Sequence, residues 1–271
     1  MAYEWITLMT DYGTYDGYAA ACHGVIARTA PTVRVIDITH DVPPGDIQRG
    51  AVVLSQAVRY MPRAVHVAVV DPGVGTSRRA IAMACPDGVL VGPDNGLLPW
   101  AAGSLGGADH VVELSDASFH GEQVAATFHG RDIFTPVAAH IAAGTPVASV
   151  GTPVDPATLV RLPSLRHEIS AGEMRCAVLT ADRFGNLTTT STAGDVQSAG
   201  LRIGETLTVS TDHGEHTVRL ARAFADAAYD ELLSYVESYG YLALAVNGGN
   251  AASRLRLREG DDLVIRRVTA R

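Results

Sequence analysis

Along the first third of the chain, short β-branched runs alternate with stretches whose apolar residues recur every three to four positions. The runs WITLMTD (5–11), VRVIDITH (33–40) and VHVAVVD (65–71) are separated by helical patterns over 16–28 and 46–61. In the second of these patterns Ile47, Ala51, Leu54, Val58 and Met61 share one face; in the first, Tyr18, Cys22, Val25 and Ile26 do. Helices with one apolar face pack on a sheet, and β-α-β-α-β order predicts that the sheet is largely parallel. IAMAC (81–85) and VLVGPD (89–94), joined at Pro86-Asp87-Gly88, read as a hairpin, and VVEL (111–114) as a further strand. A helix is predicted from near Asp132, with Pro136 in its first turn, where a missing N–H does least harm.

The periodicity then changes. From Gly151 to Gly172 three prolines and no sustained period read as a linker. Beyond it RCAVLT (175–180), NLTTTST (186–192), TLTVS (206–210), HTVRLA (216–221), YLALAV (241–246) and DLVIRR (262–267) alternate every other residue. The expectation is an α/β domain with a largely parallel central sheet over 1–160, a linker over 161–172, and a smaller all-β barrel domain over 173–271.

Composition narrows the function. With 47% hydrophobic residues the 271-residue chain can fill sizeable cores. A formal net charge of −8 and 6% aromatics argue against a nucleic-acid partner, which selects basic grooves and stacking rings. The most apolar region, 136–151, is broken by His140, Gly144 and Pro146, so no membrane span is expected. Residues 1–5 carry no basic segment leading into an apolar one, and the expected location is the cytoplasm. Cys22, Cys85 and Cys176 are odd in number and far apart, which fits reduced buried thiols.

Candidate chemistry clusters where parallel strands end, because ligands collect beyond the carboxyl ends of such strands. VVDPGVGTSRR (69–79) has two glycines after a strand but lacks the Lys-Ser/Thr ending of a phosphate loop; Asp71 and Arg78 bracket the turn instead. Asp11 opens TDYGTYDGY, where a carboxylate could take both ribose hydroxyls, although for this residue alone an N-cap or Asx-turn is the stronger reading. THDVPPGD (39–46) holds His40, Asp41 and Asp46, a composition open to metal, yet a Pro-Pro-Gly turn with Asp46 capping the next helix is the stronger reading. With no HExxH, paired-cysteine or EF-hand spacing, metal-free and cofactor-free chemistry is expected. His129 precedes a helix start, Asp182 and Asn186 flank a turn in ADRFGNLTT, and Ser238, Asn247 and Asn250 flank a strand, with Asn-Gly-Gly-Asn reading as a hairpin turn.

Taken in order, TDYGTYDGY, DITHDVPPGDI, VVDPGVGTSRR, GPDNGLL, TFHGRDIFTPVAA, DRFGN and SYGYLALAVNGGNAA resemble the S-adenosylmethionine hydroxide adenosyltransferases, relatives of the fluorinase and chlorinase. The resemblance runs nearly end to end. It implies an α/β amino domain, a small β-barrel carboxy domain, and a homotrimer with substrate at subunit interfaces. Carried over by motif, Asp71, Arg78 and His129 would be the catalytic triad and Asp11 would hold the ribose. Asp182 and Ser238 would hold the methionyl end, and Asn186, Asn250 and Ala251 would surround the adenine. The halogenating relatives carry tyrosine in place of Asp71 and Tyr-Ser or Tyr-Gly in place of His129-Gly130, and both differences favour water as nucleophile. The implied reaction is S-adenosyl-L-methionine plus water giving adenosine and L-methionine. The alternatives are a halide-dependent adenosyltransferase of the same fold and a non-catalytic sensor of adenosine or S-adenosylmethionine.

Overall fold

The computed structural model describes residues 2–268, which form two compact units dividing between Leu162 and Pro163. The first is built on seven strands: β1 (Trp5–Thr10), β2 (Arg34–Thr39), β3 (Ala64–Val69), β4 (Ala80–Cys85), β5 (Gly88–Pro93), β6 (His110–Glu113) and β7 (Thr152–Pro153). Their order is β2-β1-β3-β5-β4-β6-β7. β2, β1, β3 and β5 pair in parallel, and β4 and β7 alone run against the rest, so the sheet is mostly parallel as the periodicity predicts.

Four helices cover the two faces: α1 (Tyr18–Thr29), α2 (Ile47–Ala57), α3 (Leu97–Ala102) and α4 (Thr135–Ala142). Because side chains alternate along a strand, Ile6, Leu8, Val65 and Val67 pack under Cys22 and Ile26 of α1 and Val137 and Ile141 of α4. Met9, Ala68 and Leu90 point the other way, onto Ala51 and Leu54 of α2 and Leu97 and Leu98 of α3. Burial on both faces explains why β3 and β5 read as unbroken apolar runs, with all six residues of each buried. The connection through α1 carries the chain from β1 to β2 on one side, and that through α2 returns it to β3 on the other. Strand order therefore reverses at β1, and the crevice beyond the carboxyl ends of β1 and β3 is where such sheets bind ligands.

The second unit holds β8 (His167–Ser170), β9 (Glu173–Ala181), β10 (Leu187–Thr192), β11 (Thr206–Thr211), β12 (Gly214–Leu220), β13 (Leu232–Val236), β14 (Tyr241–Val246) and β15 (Asp262–Arg267), with two short helices, α5 (Ala193–Ser198) and α6 (Ala251–Leu255). Seven strands close into a barrel in the order β9-β10-β14-β13-β12-β11-β15, because β9 is long enough to pair with β15 at Glu173–Ala177 and with β10 at Val178–Ala181. β8 lies in the stretch read from sequence as linker; it pairs only with β9, as an edge strand of mostly exposed residues. The Asn-Gly-Gly-Asn segment is not the hairpin turn the sequence suggested. The chain leaves β14 through a tight turn, Gly249 N–H to Val246 C=O at 3.0 Å, and Asn250 then caps α6 by accepting from Ser253 N–H at 2.7 Å. No helix among the described residues is long and apolar enough to cross a membrane.

Candidate active site

Asp71 and Arg78 are brought together by the turn that follows β3. Val74 N–H donates to the Asp71 carbonyl at 3.2 Å, and the Thr76 hydroxyl to the Gly73 carbonyl at 2.7 Å. Gly75 has φ +78°, and a Cβ there would lie 2.6 Å from the Ala126 carbonyl oxygen, so glycine lets the turn dock on the segment leading to His129. Asn95 Nδ2 donates to the Val70 carbonyl at 2.8 Å and ties the turn to the end of β5. The two adjacent arginines divide their duties. Arg79 donates to the buried Asp94 carboxylate from Nε at 2.9 Å and Nη2 at 2.6 Å, which is scaffolding. Arg78 turns to Asp71, with Nε 2.9 Å from Oδ1 and Nη2 on Oδ2, the fork arrangement that suits arginine.

Arg78 reaches further. Its Nη2 lies 2.9 Å from His129 Nδ1, and its guanidinium carbon 5.1 Å from the Phe134 ring centre. A guanidinium only donates, so His129 Nδ1 must accept, and the neutral ring carries its proton on Nε2. Burial, and then the Arg78 charge, hold the His129 pKa below the usual histidine value. The side chains of Arg78 and Asp71 are 11% and 5% exposed, so this ion pair is largely withdrawn from water, while His129 is half-buried at its edge.

His129 is placed by an irregular helix start. Gly130–Phe134 forms a π-helical turn ahead of α4, the wide turn often found at functional sites. Buried Asp132 accepts from Ala125 N–H at 2.9 Å and pairs with Arg131, fixing the loop before His129. Tyr12, which the sequence reading passed over, belongs here. A Cβ on Gly130 would sit 2.2 Å from its hydroxyl oxygen, and its ring packs edge-on to Phe128 at 5.7 Å. Burial drives the Tyr12 pKa up, with Cys22, Asp11 and Asp71 adding to the effect and Arg78 opposing it. Three of nine tyrosines within residues 12–18 were the available signal.

Asp11 follows β1 directly and is held by a long-range contact rather than a local turn: its Oδ2 accepts from Gly45 N–H at 2.9 Å. Asp46 caps α2 by accepting from Arg49 N–H at 2.9 Å, as its spacing predicted.

In the second unit, Asp182 folds its own turn. Oδ1 accepts from Phe184 N–H at 2.8 Å and Asn186 N–H at 2.9 Å, and Oδ2 from Asn186 Nδ2 at 2.8 Å. Gly185, at φ +82°, lies so close to the Asn250 side chain that a Cβ would overlap it. Asp182, Asn186 and Asn250 thereby line one cavity of about 720 Å³ with Phe184, Phe224 and Tyr235. Ser238 is exposed in the turn after β13 and does not line that cavity, and the Ala251 methyl points into the barrel core.

Comparison with known proteins agrees with this architecture. Residues 6–151 match the SAM hydroxide adenosyltransferase N-terminal domain and residues 176–264 the C-terminal domain of the same family. A protein of Salinispora arenicola named (R)-S-adenosyl-L-methionine hydrolase is 52% identical, over 98% of each chain. A fluorinase of Actinopolyspora mzabensis is more distant, 28% identical over 94% of each chain. The crystal structure of an uncharacterized conserved protein from Thermotoga maritima superposes with a TM-score of 0.91 at 34% identity, covering 97% of this chain and all of that one.

Proposed function

The chain belongs to the SAM hydroxide adenosyltransferase family, and from that premise we propose that it hydrolyses S-adenosyl-L-methionine to adenosine and L-methionine. A water oxygen bonds to the 5′ carbon as the carbon–sulfur bond breaks; the electron pair goes to sulfur and one water proton is released. The sulfonium is already a good leaving group, so the enzyme must supply an aligned, partly deprotonated water, and no cofactor is required.

The observation that carries this reading is the hydrogen-bonded chain from Asp71 through Arg78 to His129, beside the strand-order reversal. Since Arg78 occupies His129 Nδ1 and the ring proton sits on Nε2, His129 serves as a donor that orients the water. Asp71 is the acceptor for its proton. Arg78 keeps its charge and stabilises developing hydroxide. Hydroxide and sulfonium neutralise each other as they react, so the withdrawal of the Asp71–Arg78 pair from water favours the step.

For the substrate we assign Asp11 to the ribose, Asp182 and Ser238 to the methionyl end, and Asn186, Asn250 and Ala251 to the adenine, within a homotrimer. The aromatic-lined cavity supports the adenine assignment. Asp182 is the least free of these, since its carboxylate already accepts three hydrogen bonds within its turn. Three buried cysteines, none in a disulfide, support action in a reducing cytoplasm.

Incubation of the purified chain with S-adenosyl-L-methionine, with and without chloride or fluoride, tests the proposal by chromatography. Equimolar adenosine and methionine, formed without halide, is the expected result. A 5′-halogenated adenosine, or tight binding with no methionine released, would overturn it.

A further inference from the structure

The geometry points to a divalent metal site of the zinc class at His23, Asp37 and His40, separate from the hydrolytic triad. His23 lies on α1, Asp37 on β2 and His40 one residue beyond that strand's end. His23 Nε2 is 2.8 Å and His40 Nε2 3.2 Å from the same oxygen, Asp37 Oδ1, and the three potential ligand atoms all lie within 4.8 Å of one another. A tetrahedral zinc ion, with bonds of about 2.0–2.2 Å, holds its ligand atoms about 3.4 Å apart. To admit one, the His23–Asp37 pair would open by about 0.6 Å and the His40–Asp37 pair by about 0.2 Å, shifts within the reach of side-chain torsions.

Histidine–carboxylate ion pairing accounts for His23 and reaches His40 at 3.2 Å, but it leaves the Nε2 of His40 without a hydrogen bond. His40 is 6% exposed, and its buried Nε2 has no hydrogen-bond partner; the approach to Asp37 has the distance of such a bond but not its direction. A buried polar atom left unpaired is costly, and here it faces the other two donors. Its opposite ring nitrogen, Nδ1, is 2.8 Å from the Thr10 hydroxyl oxygen. With the proton on Nδ1 and donated to Thr10, the Nε2 lone pair is free and the ring is locked in place, the arrangement that supports metal-ligating histidines. His23 and Asp37 have side chains 37% and 43% exposed, which gives an entry path and room for a water as fourth ligand. Two imidazoles and one carboxylate suit zinc, cobalt or nickel rather than magnesium or calcium.

The ion has no part in the chemistry and braces the loop that carries Asp11 and Tyr12. The Thr10 hydroxyl that meets His40 also accepts from Tyr12 N–H at 3.2 Å, and Gly13 N–H donates to the His40 carbonyl at 2.8 Å.

The test is calorimetric titration of the tag-free, chelator-stripped full chain with Zn²⁺, paired with the visible absorption of its Co²⁺ complex. One Zn²⁺ per chain, tetrahedral-intensity Co²⁺ bands and a raised melting midpoint are expected. His23→Gln and Asp37→Asn, both partly exposed and so able to fold, should each weaken Zn²⁺ tenfold or more, whereas His213→Gln, in an exposed turn, should leave it unchanged. No stoichiometric Zn²⁺ binding, or undiminished affinity in both His23→Gln and Asp37→Asn, would overturn the assignment.

Discussion

Arg78 holds two partners at once, a carboxylate through its fork and an imidazole through the far side of Nη2. A lysine keeps the charge but is a compact point charge on a flexible stem and cannot span both. Arg78→Lys should therefore cut turnover by roughly 10²–10³, the usual effect of losing one preorganised donor. Asp71→Asn nearly preserves shape but removes the carboxylate that the proposed mechanism uses as proton acceptor. Turnover should collapse while calorimetric affinity for S-adenosyl-L-methionine changes little, and the double variant should be non-additive. Near-normal turnover in Asp71→Asn would mean that this carboxylate only shapes the turn. His129 gives a pH signature. Its pKa is lowered by burial first and Arg78 second, so the neutral form persists below the ordinary histidine value; if His129 acts as proposed, the acid limb of turnover should lie below about 6.5. In Arg78→Gln one cause is gone and burial remains. The His129 titration, followed by NMR, should move part of the way back up.

Elements set these residues in place, and the π-helical start of α4 is the most exacting of them. Tyr12 fills the space that a side chain on Gly130 would need. Gly130→Ala should lower turnover at least tenfold by displacing Tyr12 or His129, and Tyr12→Phe in the same chain should restore part of it, because the nearest clash is with the hydroxyl. Equal losses in the single and double variants would contradict that contact. Within the sheet, His66 of β3 is buried against Thr7 and its pKa is lowered to about 4. An unfolded histidine binds its proton near 6.5, so between about 6.5 and 4 the unfolded chain holds more protons than the folded one. The stability tied to His66 is full above that window and is lost as pH falls through it, by about 3 kcal/mol in all. His66→Leu should flatten the pH dependence of the urea midpoint over that range whatever it does to the absolute midpoint.

The same scale shows what periodicity could and could not reveal. β3 and β5 were legible because burial on both faces leaves unbroken apolar runs, and Asp46 because a cap has a fixed spacing. β13, LLSYV, starts with three buried residues in a row and so does not alternate; β8, HEIS, is an edge strand of mostly exposed residues. α6 was hidden because Asn-Gly-Gly-Asn fits a hairpin turn on local grounds, while Asn250 is committed to capping and to packing on Gly185, far away in sequence. The division between Arg78 and Arg79 was likewise beyond sequence reasoning alone: it depends on where Asp94 emerges from β5. Tyr12 was missed because its meaning lies in contacts with Gly130 and Phe128.

For the whole molecule, the triad and Asp11 belong to one compact unit, and Asp182, Asn186, Ser238 and Asn250 to the other. If all of them serve one substrate in a homotrimer, light scattering of active enzyme should report three times the 28.5 kDa chain mass. Full activity from a monomer at nanomolar concentration would contradict that assembly. In the proposed reaction, water aligned by Asp71, Arg78 and His129 attacks the 5′ carbon, and turnover in ¹⁸O-enriched water follows that oxygen into product. Mass spectrometry should find the label in the 5′ hydroxyl of adenosine and none in methionine; adenosine formed without label would rule out attack by water at that carbon.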